Sequence, residues 1–169
     1  MSSQVIRNFM RQQGFEEEAD SACDMHFSGL YFQPRIVAPF VVLGIVLQSQ
    51  IIFFILSAIL WWNVALPKWN PFEMFYNRVI AMPKGRAILK PAPAGRAFAQ
   101  GMAAAFLLLG GLALMAGWMT AAYVLEAFLV IAFAALLFGK FCLGAYVYHL
   151  LRGRVAFANS TLPWARPRT

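Results

Sequence analysis

Glu126 is the one acid inside a long apolar stretch of this chain. An intramembrane carboxylate can carry protons or bind ions, so it is a functional candidate by default. Gln48, Gln50, Thr120 and Tyr123 are the polar residues that could share its depth. The bland alternative is a protonated Glu126 bonded to such a neighbour, since a single acid makes no relay. Cys142 and His149 stand seven residues apart and so share a helix face. A thiol and an imidazole are too few ligands for a metal site on their own. His149 could ligate a haem or chlorophyll; otherwise it is an interfacial histidine near Arg152. Cys23 and His26 are spaced like half of a zinc site whose other half is missing. Arg78, Lys84, Arg86 and Lys90 form a basic cluster able to hold anionic lipid headgroups, and would serve equally as topology charge. There is no glycine-rich phosphate loop, nucleophile elbow, paired carboxylate or metal cluster in the sequence.

These residues sit in a chain of unusual composition. Of its 169 residues, 61% are hydrophobic and 12% are charged, where a soluble domain carries about 25% charged. With 16 Phe, 5 Trp and a mean hydropathy of +0.64, too little polar surface remains for a soluble monomer. The composition excludes a soluble enzyme, a disordered chain and a nucleic-acid domain. The net charge of +7 is then read as membrane topology, because basic residues stay on the cytoplasmic side. Glu16, Glu17, Glu18, Asp20 and Asp24 do not fit a signal peptide, so insertion is expected from internal apolar segments.

Four such segments follow. Residues 36–66 are apolar apart from Gln48-Ser49-Gln50, Ser57 and Asn63. One straight helix would be about 46 Å long against a hydrocarbon core of about 30 Å, so a hairpin with its turn at residues 48–50 is predicted. Its helices run from about Tyr31 or Ile36 to Leu47, and from about Gln50 to Leu66. The third helix spans 97–116, with Gly101, Ala104 and Ala105 as a small-residue face for close packing. Gly117 and Trp118 turn into a fourth helix over 119–151, bent around Gly139 to Gly144. Between the hairpins, residues 67–96 are basic and proline-rich. Asn70 and Pro71 there predict the cap and first turn of a short surface helix with Phe72, Phe75, Tyr76 and Val79 on one face. Val5, Phe9 and Met10 suggest an amphipathic N-terminal helix, interfacial or frayed in solvent. Residues 152–169 read as an extended tail.

Four spans put both termini and the central loop on one side. All of the 14 Lys and Arg residues except Lys140 fall in those three segments, which places them in the cytoplasm. Lys140 lies about 31 Å of helix beyond the outer turn, at the inner interface, and agrees.

The chain resembles the bacterial membrane family catalogued as domain of unknown function 4395, over roughly residues 33–152. The landmarks are Pro34-Arg35, Asn70-Pro71-Phe72 with Tyr76-Asn77-Arg78, Arg96 to Gln100, and Phe141 to Tyr146. Members of that family often occur beside or fused to thioredoxin-like or rhodanese-like proteins, and many carry Cys-x-Gly-Cys where this chain has Cys142-Leu-Gly-Ala145. The resemblance implies thiol chemistry at Cys142, yet an exchange cycle needs a second sulfur, and that position is Ala145.

The expectation is an all-α membrane protein of four transmembrane helices, as two hairpins joined by a basic loop with a short interfacial helix. Residues 1–32 form a cytoplasmic N-terminal segment, 33–152 the membrane domain and 153–169 a cytoplasmic tail. The expected function is that of a non-catalytic accessory or scaffold subunit of a larger bacterial inner-membrane complex, photosynthetic or respiratory. Its partners would be membrane lipid and other integral membrane subunits, with no nucleic acid. Bound lipid is expected, no cofactor is required, and a pigment or haem at His149 stays open. The alternatives are a thiol-redox partner acting through Cys142 and a small transporter using Glu126.

Overall fold

The computed structural model describes residues 3–15, 29–86 and 88–165. Among these the chain forms eight α-helices and no strand. They are α1 (Ser3–Gln13), α2 (Phe32–Val46), α3 (Gln50–Ala65), α4 (Pro71–Phe75), α5 (Ala94–Met115), α6 (Met119–Leu137), α7 (Leu143–Leu151) and α8 (Val155–Ser160). Both α5 and α6 are long and apolar enough to cross a membrane. In the most apolar stretch of α6 only 17% of the residues are buried, whereas the core helix of a soluble domain is mostly buried. The helices α2 and α3 are apolar but shorter, at 15 and 16 residues.

The first hairpin turns where the polar triplet predicts. Gln48 takes a left-handed φ of 46°, and Ser49 caps α3 by accepting from the Ile52 N–H. The second turns at Gly117, whose φ of 73° suits a residue without a Cβ. Helix α5 is the centre of the fold, packing on α3, α6, α7 and α1. Small residues let it approach α3. A Cβ on Gly111 would lie 2.7 Å from the Phe54 ring, and fully buried Ala104 accepts a hydrogen bond from Ser57 Oγ at 2.8 Å through its carbonyl. Of the predicted small face, Ala104 makes this contact, while Gly101 has ordinary spacing to Val64 and Trp61.

Four local expectations change. The fourth helix does not bend but ends at Leu137, and α7 restarts at Leu143. Lys140, with φ at 53°, makes the break, which swings Gly144 against the Ala99 backbone. The N-terminal helix forms and is not a frayed solvated tail: Ile6, Phe9 and Met10 are buried in a core shared with Tyr31, Tyr76 and Ala145. The C-terminal segment is not extended through Ala165, because α8 forms and Asn8 Nδ2 donates to the carbonyls of Leu162 (2.9 Å) and Ala165 (3.2 Å). In the central loop, Asn70 caps α4 as expected, accepting from the Phe72 and Glu73 N–H groups. However, a π-helical turn over Tyr76–Ala81 resets the helical phase, so Tyr76 is buried while Phe75 and Val79 are exposed.

Candidate functional site

One end of the bundle collects buried polar side chains. It is the end shared by the N-termini of α2 and α5, the C-termini of α3 and α6, and the helix α1. The Asn70 side chain sets the orientation of a chain of amides there. Its Oδ1 is taken up capping α4, so its Nδ2 is the group that faces Gln33 Oε1 at 3.5 Å. Gln33 Oε1 also accepts from Gln100 Nε2 at 3.0 Å. That fixes Gln100 with its own Oε1 turned away, buried and without a partner.

Arg96, in the first turn of α5, lies beside this chain with 5% of its surface exposed. Its Nη2 is 3.5 Å from Glu73 Oε1, an ion contact with poor hydrogen-bond geometry, and its Nη1 has no partner. Burial pushes the Glu73 carboxyl up from the ordinary carboxylate range, and the Arg96 charge opposes that shift only in part.

The third group is held by Gln12 at the end of α1. Gln12 Oε1 accepts from the Cys142 backbone N–H at 2.8 Å, and the Gln12 carbonyl lies 3.0 Å from His149 Nε2. A carbonyl only accepts, so Nε2 carries a hydrogen here, and Nδ1 is buried without a partner. Burial pushes the Cys142 thiol up, more than the nearby Ala145 amide and Arg96 lower it. A protonated thiol is a poor nucleophile. Cys142 and His149 thus flank one glutamine, and no group of three or more His, Cys, Asp or Glu suited to a metal ion occurs among the described residues.

Below these polar groups a cavity of about 290 Å³ runs into the bundle. Gln13, Gln33, Arg96, Gln100 and Cys142 form its polar end, and residues of α2, α3, α5 and α6 form apolar walls.

The remaining predicted residues lie elsewhere. Glu126 is buried near the opposite end, where Gln48 Nε2 donates to its two oxygens at 3.1 and 3.2 Å. Gln50 is half-buried at the start of α3. Arg78, Lys84, Arg86 and Lys90 are exposed on the central loop, which Asn77 pins through paired bonds to the Leu89 carbonyl (3.0 Å) and N–H (2.8 Å). Cys23 and His26 lie outside the described residues. Sequence reasoning missed Gln12, Gln33, Glu73, Arg96 and Gln100 as a group. The available signal was Glu73 as the one acid among the loop cations, together with glutamines near the ends of apolar helices.

The family model described as domain of unknown function (DUF4395) matches residues 28–153. The chain belongs to this family. The DUF4395 region holds Gln33, Asn70, Glu73, Arg96, Gln100, Cys142 and His149, whereas α1 and α8 fall outside it. The Gln12 and Asn8 contacts are therefore additions to the DUF4395 bundle from its flanks. No curated protein and no solved structure matches the chain.

Proposed function

We propose that this DUF4395 protein is a four-span protein of the bacterial cytoplasmic membrane that serves as a non-catalytic accessory subunit. The spans are α2, α3, α5 and α6, with both termini and the central loop in the cytoplasm. The observation that carries the reading is the outward apolar surface of all four helices. Val46, Ile51, Ile55, Leu109, Phe128 and Ile131 are all more than half exposed, in a chain whose basic loop residues gather at one end. A continuous apolar belt of this kind has lipid or a membrane partner as its natural neighbour. At 15 and 16 residues α2 and α3 are short, so the bilayer thins beside them.

The polar groups support a structural role. Gln48 occupies Glu126, and Gln12 occupies the backbone N–H of Cys142 and the ring of His149. The ordered tails bind each other through Asn8, which leaves the apolar flanks of the bundle as the surface for other integral membrane subunits. The transporter and thiol-redox readings would each need one of these buried groups to be released.

The test is affinity purification of the tagged chain in mild detergent, followed by native gel and mass spectrometry. Recovery in one stoichiometric complex, unchanged by Cys142→Ser or Glu126→Gln, is expected. Recovery as a free monomer would overturn the accessory-subunit reading.

A further inference from the structure

We propose that Arg35 and Lys140 hold the phosphate of an anionic phospholipid at the cytoplasmic membrane interface, with one of its acyl chains in the cavity of the bundle. The inference starts from the two cations. Tyr31, only 1% exposed, donates its hydroxyl hydrogen to the Leu136 carbonyl at 2.8 Å, which ties the start of α2 to the end of α6. Lys140 Nζ lies 4.4 Å from the centre of the Tyr31 ring, and the guanidinium carbon of Arg35 lies 5.7 Å from it. Two positive groups from distant parts of the chain thus meet at one ring. Arg35 is exposed and has no ion pair among the described residues, whose acids are Glu73, beside Arg96, and Glu126, near the opposite end of the bundle. Burial and the Arg35 charge both push the Lys140 ammonium down from the ordinary lysine range. A phosphate that accepts from both cations offsets that repulsion.

The cavity supplies the place for the rest of the molecule. Its lining includes Pro34, next to Arg35, and Leu136, one helical turn before Lys140, so its wall reaches the neighbourhood of both cations. From there it continues between Val37, Leu60, Ala103, Phe106 and Phe133. Exposed Phe128 is also on its lining, so a chain can enter sideways from the bilayer. A volume of about 290 Å³ is at the small end for ligand sites, which span about 300–1,000 Å³, and so takes one chain rather than two. The apolar wall beside the cations favours a lipid over free phosphate. The pair of cations favours an anionic lipid. The ammonium of phosphatidylethanolamine would bring a third positive charge to the same place, whereas phosphatidylglycerol brings only the negative charge of its phosphate. The inference rests on the four-span reading above, which sets the start of α2 and the end of α6 at the level of the inner headgroups. It does not rest on the accessory-subunit reading.

Membranes holding the full tagged chain are first washed with carbonate, and retention of the chain checks the membrane reading alone. The purified chain then goes into phosphatidylcholine nanodiscs with a phosphatidylglycerol that bears a diazirine in one acyl chain. Adducts are expected on Ala103, Phe106 or Phe133. Unlabelled phosphatidylglycerol should compete with labelling about tenfold better than phosphatidylethanolamine, and inorganic phosphate should not compete. Arg35→Gln with Lys140→Gln should lower labelling about tenfold or more, since one charge-assisted hydrogen bond is already of that size. Lys84→Gln with Arg86→Gln, on the exposed loop, should leave it unchanged. Adducts confined to outer helix faces, equal competition by phosphatidylethanolamine, or displacement by inorganic phosphate would overturn the proposal. The wild-type competition decides the matter even where a variant fails to fold. Loss of the chain into the carbonate wash would overturn the membrane reading and this inference together. A chain that purifies without protein partners yet takes the probe selectively would sink the accessory-subunit reading and leave this site standing.

Discussion

His149 Nε2 lies 3.0 Å from the carbonyl oxygen of Gln12, a residue 137 positions away, and the side chain of Gln12 holds the opposite end of the same helix at Cys142. One glutamine at the end of α1 thus fastens both ends of α7. Gln12→Ala removes the acceptor for the Cys142 N–H and leaves a buried donor unpaired. The expected loss is about 1–3 kcal/mol. It would be read as a lower Tm in detergent, with the N-terminal helix released to limited proteolysis well before the bundle is cut.

The Glu73–Arg96 pair predicts a strong asymmetry between single and double replacement. Glu73→Ala strands a buried guanidinium, at a cost of about 3–5 kcal/mol. Replacing both, as Glu73→Leu with Arg96→Met, removes both charges together and should recover most of that loss. A double-mutant cycle on thermal or denaturant unfolding checks this, and additive losses would contradict a direct pairing.

Two glycines should respond in opposite ways to alanine. A Cβ on Gly144 meets the Cα and Cβ of Ala99 at 2.7 Å, a clash with backbone that only a shift of α7 relieves. Gly144→Ala is expected to cost about 1–3 kcal/mol. The nearest atoms to a Cβ on Gly101 are 3.8 and 3.9 Å away. Gly101→Ala should therefore be neutral or stabilise α5 by up to about 1 kcal/mol. Tm values of the two variants side by side settle the comparison.

Gln48 is the residue on which Glu126 depends. It donates to both carboxyl oxygens and, at 2.7 Å, to the carbonyl of Ile45. Gln48→Leu should cost about 1–3 kcal/mol, since it leaves the buried carboxyl without its donor. Glu126→Gln keeps a hydrogen-bonding partner opposite Gln48 and should cost less than about 1 kcal/mol.

The Cys142 thiol gives a pH dependence of defined sign. Burial raises its pKa, so the folded chain holds the thiol proton to higher pH than the unfolded chain does. This contribution to stability is complete below the ordinary thiol pKa and is lost as pH climbs through the raised value. In a Cys23→Ser background, iodoacetamide at about pH 8 should label Cys142 only as the protein unfolds. Rapid labelling of the folded chain would show an exposed thiolate instead.

What the sequence shows about this fold is what short-range chemistry controls. The turn at Gln48 and Ser49, the Asn70 cap, the stop at Gly117 and the break before Gly144 all depend on residues within a few positions of one another. Apolar run lengths then set the first three long helices and the start of the fourth to within a few residues, while the end of the fourth at Leu137 fell inside an unbroken apolar run. The grouping of cations is equally local, because it is written as composition along the chain.

The site was legible only in fragments. Gln33 and Gln100 are 67 residues apart, and nothing in either neighbourhood marks the other. Arg96 reads as one more topology cation until the fold brings Glu73 to it. The flanks were misread for the same reason. Seen alone, α1 is an amphipathic helix without a partner and residues 155–165 are a tail, yet Asn8 and the carbonyls of Leu162 and Ala165 complete each other.

By itself, then, the sequence determined where the capped and glycine-marked helix ends fall and which segments of the chain carry the cations, because caps, glycines and apolar periodicity act within a turn or two of helix. Only the tertiary structure decided which polar groups are buried together, which are left unpaired and where a cavity opens. Those outcomes depend on pairings across the chain whose partners are chosen by packing around α5.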